Sequence, residues 1–359
     1  MSTEDAAPVG ASPSQDAAAG GSHESPAPEA PGRPPRHLDD AARLYGVTAD
    51  GLRSLGAYES EVYAFEAGAA PRVLKVIDPS HRTPELVQAE VDWLLALSEA
   101  GVSVSEPVPA ATGRYVEVLP DSGHVVVAFA RAPGDLVPAS RWTDDLLERW
   151  GRLLGLMQAQ ARGYEPPGPR RHALADHSYA FRADELEAED PAFVAAASEV
   201  VARGAPLLRP DSSGLDGGLV HADLHSGNLL VFEGTLTAID FDDRGYGSFA
   251  FDLAMPLYYG VRHLMRAHEG ITGAEAAERF LGPFLRGFVS AAPLPAGGAE
   301  AIDLALRLRQ VELVAAVHLK FLRTRGDEPG LRAVADDLRD RVVAGTEVVP
   351  LATLERFFG

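Results

Sequence analysis

LVHADLHSGNLLVFEGTLTAIDFDD, running from Leu219 to Asp243, admits two chemistries. The spacing of His221, Asp223 and His225 can hold a hydrolytic metal; with Asn228 and Asp240 added, the same stretch can transfer phosphate. Its centre reads as a hairpin, LLVF and TLTAI around the turn residues Glu233 and Gly234. Asn228 immediately precedes the first strand and Asp240 follows the second, so antiparallel pairing brings both to one end of the ladder, about 5 Å apart between backbones. An amide oxygen and a carboxylate meeting there, with room for water and phosphate oxygens, make a Mg²⁺ site. Asp223, on the loop before Asn228, is placed to orient the proton of an attacking hydroxyl.

Phosphoryl transfer also needs a cation on the ATP phosphates, which a metal hydrolase does not. Upstream, RVLKVID alternates, with Val73, Lys75 and Ile77 on one face and Leu74 and Val76 on the other, and it forms a hairpin with SEVYAFEAG. A helix follows, with Thr83 as N-cap, Pro84 at its first position, Glu85 in the first turn and Gly101 beyond its end. Glu90 falls on the apolar face of that helix, among Val87, Val91, Leu94 and Leu95, and a buried carboxylate needs a partner. A Lys75–Glu90 pair is therefore expected, with Lys75 directed at the nucleotide phosphates.

After a second hairpin, YVEVL and VVVAFA around PDSGH, the run RAPGD breaks the strand pattern near Ala130 to Pro133. The link offers backbone hydrogen bonds for a nucleotide base, with Phe129 and Ala130 as the candidates. The remainder is mostly helical, in WTDDLLERWGRLLGLMQAQA, in Asp252 to Ala267 and in AIDLALRLRQVELVAAVHLKFLRT. WTDDLLE and the late helices are expected to supply acidic groups to the acceptor. Asp242 and Asp243 suit either a second metal or a charged turn; Asp252 suits a helix cap or a brace for the catalytic loop. Arg307 and Arg309 are expected at the surface, and Tyr246 and Gly247 in a turn.

HADLHSGN followed by AIDFDD resembles the catalytic and metal-binding segments of the aminoglycoside phosphotransferase and choline kinase superfamily. FDDRGYGSFAFDLA is most similar to the bacterial branch of stress-response Ser/Thr kinases and homoserine-kinase-like enzymes. The resemblance implies an α+β, protein-kinase-like two-lobed fold, with a small β-rich N-terminal lobe and a larger, mostly helical C-terminal lobe. It implies ATP and Mg²⁺, Asp223 as the catalytic aspartate, Asn228 and Asp240 as metal ligands, Lys75 on the ATP phosphates and Glu90 positioning Lys75. By the same resemblance His221 shapes the loop and His225 lies near the gamma phosphate. The sequence departs from the family where LGAYESEVY has the single glycine Gly56 and has Ser60 in a common asparagine position, and where Gln158 replaces a usual histidine.

The implied organisation is a disordered tail over 1–36, rich in Ala, Pro, Gly and Ser, a nucleotide-binding lobe over 37–131, and a catalytic and substrate lobe over 132–359. A net charge of −20 argues against nucleic-acid binding and is compatible with a cationic acceptor. The absence of cysteine excludes disulfides and thiolate metal sites. No apolar run of membrane-spanning length or signal-peptide pattern occurs, so no membrane partner and a cytoplasmic location are expected. The acceptor is a hydroxyl on a small molecule or on a protein or peptide. The alternatives are a nucleotide-binding pseudokinase and a hydrolase using His221, Asp223 and His225; the latter leaves Lys75, Glu90, Asn228 and Asp240 without a role.

Overall fold

A computed structural model describes residues 35–57, 60–167, 172–209, 216–322 and 329–359. The expected tail lies outside these residues except at its end, where helix α1 (Arg36–Leu44) starts one residue before His37. Strands β1 (Arg53–Ala57), β2 (Ser60–Ala67), β3 (Ala70–Ile77), β4 (Pro107–Val108), β5 (Val116–Val118) and β6 (Val125–Ala130) form one sheet. Its order is β1-β2-β3-β6-β4, with β5 also paired to β6.

The period-2 alternation separates the faces of this sheet as its residues require. Leu74, Val76, Val126 and Ala128 bury in one core with Leu38 and Ala41 of α1. Ile77, Val125, Val127 and Phe129 bury on the other side with Val87, Val91 and Leu94 of α2 (Pro84–Glu99). Lys75, in register with Val62 and Val127, belongs to this second face. Helix α2 starts where its cap predicts: Thr83 accepts from the Leu86 N–H and Pro84 occupies the first turn.

The C-terminal region is mostly helical: α3 (Asp144–Gly163), α4 (Pro191–Gly204), α5 (Phe249–Ala267), α6 (Gly273–Val289), α7 (Gly298–Ala316), α8 (Pro329–Val343) and α9 (Leu351–Phe358). A π-helical stretch, Val317–Leu322, continues α7. Helices α3 and α6 meet backbone to backbone, because a Cβ at Gly151 would lie 1.8 Å from the Phe284 carbonyl oxygen and one at Gly287 1.8 Å from that of Glu148. Trp150 packs edge-on against Phe280 beside this contact, with centroids 5.5 Å apart.

Two small ladders interrupt the helices. The anticipated hairpin is β9 (Leu229–Phe232) with β10 (Thr235–Ala238), and β7 (Asp135–Leu136) adds to β9. The other joins β8 (Gly217–Val220) to β11 (Gly245–Ser248), so Tyr246 and Gly247 lie in a strand rather than in the expected turn. Their glycines serve packing: Leu174 occupies the space a Cβ would need, 2.8 Å away at Gly245 and 2.5 Å at Gly247. The segment after α2 ties the two regions together. The Ser103 carbonyl accepts from the Ala238 N–H at 3.0 Å, and the Ser103 and Thr237 hydroxyls are 2.9 Å apart. The end of β10 is thereby held against the sheet that carries Lys75. Among the described residues, no helix is long and apolar enough to cross a membrane.

Candidate active site

The β9–β10 ladder runs Leu229 opposite Ala238, and the Ile239 N–H extends it by donating to the Asn228 carbonyl at 3.0 Å. Asn228 and Asp240 therefore reach the same end, as expected, but Ile239 is the residue opposite Asn228. Asp240 comes one step later, with φ +62° turning the chain out of the ladder. The Asn228 Nδ2 donates to the Asp223 carbonyl at 2.9 Å, while its Oδ1 is buried with no hydrogen-bond partner among the described residues. A buried acceptor left unpaired is costly, and a dication satisfies it.

Lys75 enters from the facing sheet, and its Nζ donates to Asp240 and Asp242, at 3.0 Å each. This corrects the expected Lys75–Glu90 pair. Glu90 is buried, 2% exposed, and its nearest cation is Arg82 at 2.7 Å. Arg82 also donates to Asp242 at 2.7 Å. The physical reason is the forked guanidinium, which spans two carboxylates where an ammonium is a single point charge. The result is an alternating chain, Glu90–Arg82–Asp242–Lys75–Asp240, in which Glu90 acts on Lys75 through its field alone.

The titration of these groups follows from that chain. Burial alone would depress Lys75, but Asp240 and Asp242 overcome it and hold the ammonium above the ordinary lysine range. Burial likewise pushes against an ionised Asp242, yet Lys75 and Arg82 hold its carboxyl well below the usual range. For Asp240 burial wins over the pull of Lys75, and the neighbouring Asp242 adds to it, so its carboxyl is pushed up. Asp242, read from sequence as a turn or a second-metal residue, is thus a member of the site; Asp243 lines the adjoining cavity. Burial pushes Arg244 down to about 10, with Glu90 opposing, and its guanidinium donates to the Leu86 carbonyl.

The loop before Asn228 is braced from three sides. His221 spends both ring nitrogens within the protein, Nε2 donating to the Ile239 carbonyl at 3.1 Å and Nδ1 accepting from the Asp223 N–H at 3.3 Å. Ala222 has φ +65°, and its N–H donates to Asp252 at 3.0 Å. Gln158 donates to the other Asp252 oxygen at 3.2 Å and to the Phe249 carbonyl at 3.1 Å, so the residue that departs from the family pattern still anchors the brace. Asp252 is therefore a brace for the loop. His225 accepts from the Gly227 N–H through Nδ1 at 2.8 Å and places Nε2 3.5 Å from the Asp223 Oδ2. His221, with both nitrogens engaged, leaves no His221–Asp223–His225 metal triad.

Arg309 departs furthest from the sequence expectation. It is 6% exposed, and its Nη2 donates to the Asp223 Oδ1 at 2.5 Å and to the Tyr259 hydroxyl oxygen at 2.6 Å. Arg307 does lie toward the surface, paired with Asp303 at 2.8 Å. Two residues along a helix is about 200° of rotation, so these arginines cannot share a face. Burial would raise Asp223, but Arg309, with His225 and His221, holds its carboxyl below the usual range.

A cavity of about 520 Å³ opens beside Ala222, Asp242 and Arg309. His177, Tyr179, Glu312 and Lys320 also line it. Burial pushes the Glu312 carboxyl up against the pull of Arg309. Of the expected acidic groups, α7 supplies Glu312, whereas Asp144 and Asp145 are exposed in the first turn of α3 and do not line the cavity. The link also differs from expectation. The Ala130 N–H already donates to the Glu106 carbonyl at 2.7 Å, and its carbonyl accepts from Ser105 at 2.6 Å. Phe129 is buried in the β6 ladder between Val73 and Pro107.

The model of the phosphotransferase enzyme family matches residues 51–294. The chain belongs to this family. Amicoumacin kinase of Bacillus subtilis (strain 168) is 30% identical over 296 residues, spanning 81% of this chain and 87% of that protein. The structure of amicoumacin kinase hAmiN in complex with AMP-PNP, Ca²⁺ and Ami superposes with a TM-score of 0.79 at 26% identity, covering 88% of this chain and 94% of the other. A microcompartment-associated aminopropanol kinase superposes at 0.65 with 25% identity, covering 86% and 95%. A choline/ethanolamine kinase family protein from Mesorhizobium loti, at 16% identity and a TM-score of 0.54, shares the fold. The fold is protein-kinase-like, with a β-sheet N-terminal region and a helical C-terminal region.

Proposed function

We propose that this chain transfers the gamma phosphate of ATP to the hydroxyl of a small amine-bearing alcohol bound in the cavity lined by Ala222, Arg309 and Glu312. The kinase activity follows from family membership and from relatives that are small-molecule kinases. The amine-bearing acceptor is supported by the names of those relatives, by the overall negative charge and by Glu312 in the cavity wall. The observation that carries the assignment of residues is the convergence of Asp223, Asn228 and Asp240 at one hairpin end, met by Lys75 from the opposite sheet.

Asn228, with its unpartnered Oδ1, and Asp240 would hold Mg²⁺, which when bound neutralises charge on the transferring phosphoryl group. Lys75 donates to phosphate oxygens from its place beside Asp240. Glu90 acts on it through its field, with Arg82 and Asp242 standing between them. Asp223 receives the acceptor hydroxyl on Oδ2, because Oδ1 is engaged by Arg309. A carboxyl held below its usual range is a weak base, so Asp223 contributes chiefly by orienting the hydroxyl, as suits a loose phosphoryl-transfer transition state. His225 steadies the Asp223 oxygen that faces it. The lobe boundary lies in the link near Ala130 to Pro133, and the base is recognised by the part of that link beyond Ala130, whose own backbone groups are taken up by Glu106 and Ser105. A cytoplasmic location, where ATP is supplied, belongs to the same proposal.

The test is transfer of labelled phosphate from ATP, with Mg²⁺, to amicoumacin, aminopropanol, other amino alcohols and aminoglycosides. Wild type should label one class, and Asp223→Asn should lose about 10²–10⁴-fold in rate. Nucleotide binding without transfer to any acceptor would favour the pseudokinase alternative.

A further inference from the structure

On the α1-covered face of the first sheet, away from the cleft, side chains from three separate elements converge. His37 lies in the first turn of α1, Glu61 at the start of β2 and His124 immediately before β6. A ring nitrogen from each histidine and a Glu61 oxygen all lie within 4.8 Å of one another. His37 Nε2 is 2.8 Å from Glu61 Oε1, and the two imidazoles stack with centroids 4.6 Å apart and planes 3° from parallel, so ligation of one ion by both requires one ring to turn out of the stack. Tyr63 donates its hydroxyl to the other Glu61 oxygen at 2.5 Å, which fixes the carboxylate with Oε1 toward His37. His124 keeps Nδ1 buried without a hydrogen-bond partner among the described residues, so it has a ring nitrogen to offer.

We propose that His37, Glu61 and His124 bind a Zn²⁺-like transition-metal ion, with Tyr63 orienting the ligating carboxylate. Two imidazoles and a carboxylate are a donor set for zinc and its neighbours in the first transition series, whereas Mg²⁺ takes oxygen ligands. The hydrogen bond from Tyr63 to the far carboxylate oxygen is the kind of outer contact that metal-ligating carboxylates carry. The ion joins α1 to β2 and to the turn entering β6, and so fastens the helix that covers the nucleotide-side sheet from behind. None of this rests on the kinase assignment, since no residue is shared with the cleft.

The test uses the full chain, stripped with chelator and titrated with Co²⁺ in saturating Mg²⁺, so that the oxygen-rich cleft is occupied. Wild type should develop the intense visible bands of tetrahedral cobalt, and Zn²⁺ should bleach them. Glu61→Gln preserves a hydrogen bond to His37 but is a poor ligand, and together with His124→Ala it should abolish the bands while circular dichroism stays unchanged. Tyr63→Phe should bind about 10–100-fold more weakly. Zn²⁺ should raise the melting temperature of wild type and leave that of Glu61→Gln unmoved. A wild type without cobalt bands, or identical titrations in all four proteins, would overturn the site and leave the three residues as a hydrogen-bonded dock for α1.

Discussion

Replacing Arg309 by Met tests the least expected contact in the cleft. Asp223 is 4% exposed and Arg309 6%, so water cannot take the place of the guanidinium. Removing one member of such a buried pair costs about 3–5 kcal/mol, most of it because the remaining carboxylate stays buried with its charge uncompensated. Met retains much of the side-chain volume, which keeps the packing contribution small. Urea unfolding of wild type, Arg309→Met, Asp223→Asn and the double variant closes a mutant cycle. The double variant should be more stable than the sum of the single effects predicts, by about 1–3 kcal/mol, because a neutral Asn needs no counter-charge. The pH dependence has a definite sign. With Arg309 present the Asp223 carboxyl is depressed, so its contribution is complete above the unfolded-state carboxylate range and is lost as pH falls through the folded value. Without Arg309 burial dominates and the carboxyl rises, so the deficit of the variant should widen as pH increases and shrink in acid. Additive single effects, or a deficit flat in pH, would refute the pairing.

Lys75→Ala should raise the KM for ATP and lower kcat/KM by about 100-fold or more, measured by ADP release in a coupled assay; unchanged kinetics would remove Lys75 from the phosphate site. Asp240→Asn should abolish Mg²⁺-dependent transfer while nucleotide still binds weakly by calorimetry, and full activity would displace Asp240 as a ligand. Gly151→Ala gains about 1 kcal/mol of helix propensity yet should destabilise the protein in urea, because its Cβ would lie 1.8 Å from the Phe284 carbonyl oxygen. A more stable Gly151→Ala protein would show that α3 and α6 do not meet there.

Much of the framework was legible because it depends on local rules. Alternation in RVLKVID separates Lys75 from Leu74 and Val76, the Thr83–Pro84 cap starts α2, and the Glu233–Gly234 turn closes β9 on β10. That hairpin carries Asn228 and Asp240 to the same end whatever surrounds it, whereas the choice for Asp252 between helix cap and loop brace was made by its contact with Ala222, thirty residues away. GYGS, by contrast, reads as a turn because glycine is common in turns, whereas here it clears space for Leu174, a residue some seventy positions earlier in the chain.

The partners of the charges were decided in three dimensions. Hydrophobic spacing showed that Glu90 is buried and needs a cation, but could not choose between Lys75 and Arg82; the reach of the guanidinium between Glu90 and Asp242 made that choice. Arg309 sits on a helix whose apolar residues surround it almost completely, and the packing of α7 rather than any spacing turns it toward Asp223. Sequence alone determined which residue types and which hairpin could transfer phosphate, because strand period and turn chemistry are local. The tertiary structure decided which charges share a proton-poor, water-poor space, because electrostatic pairing depends on distance through space and on burial, neither of which is written along the chain.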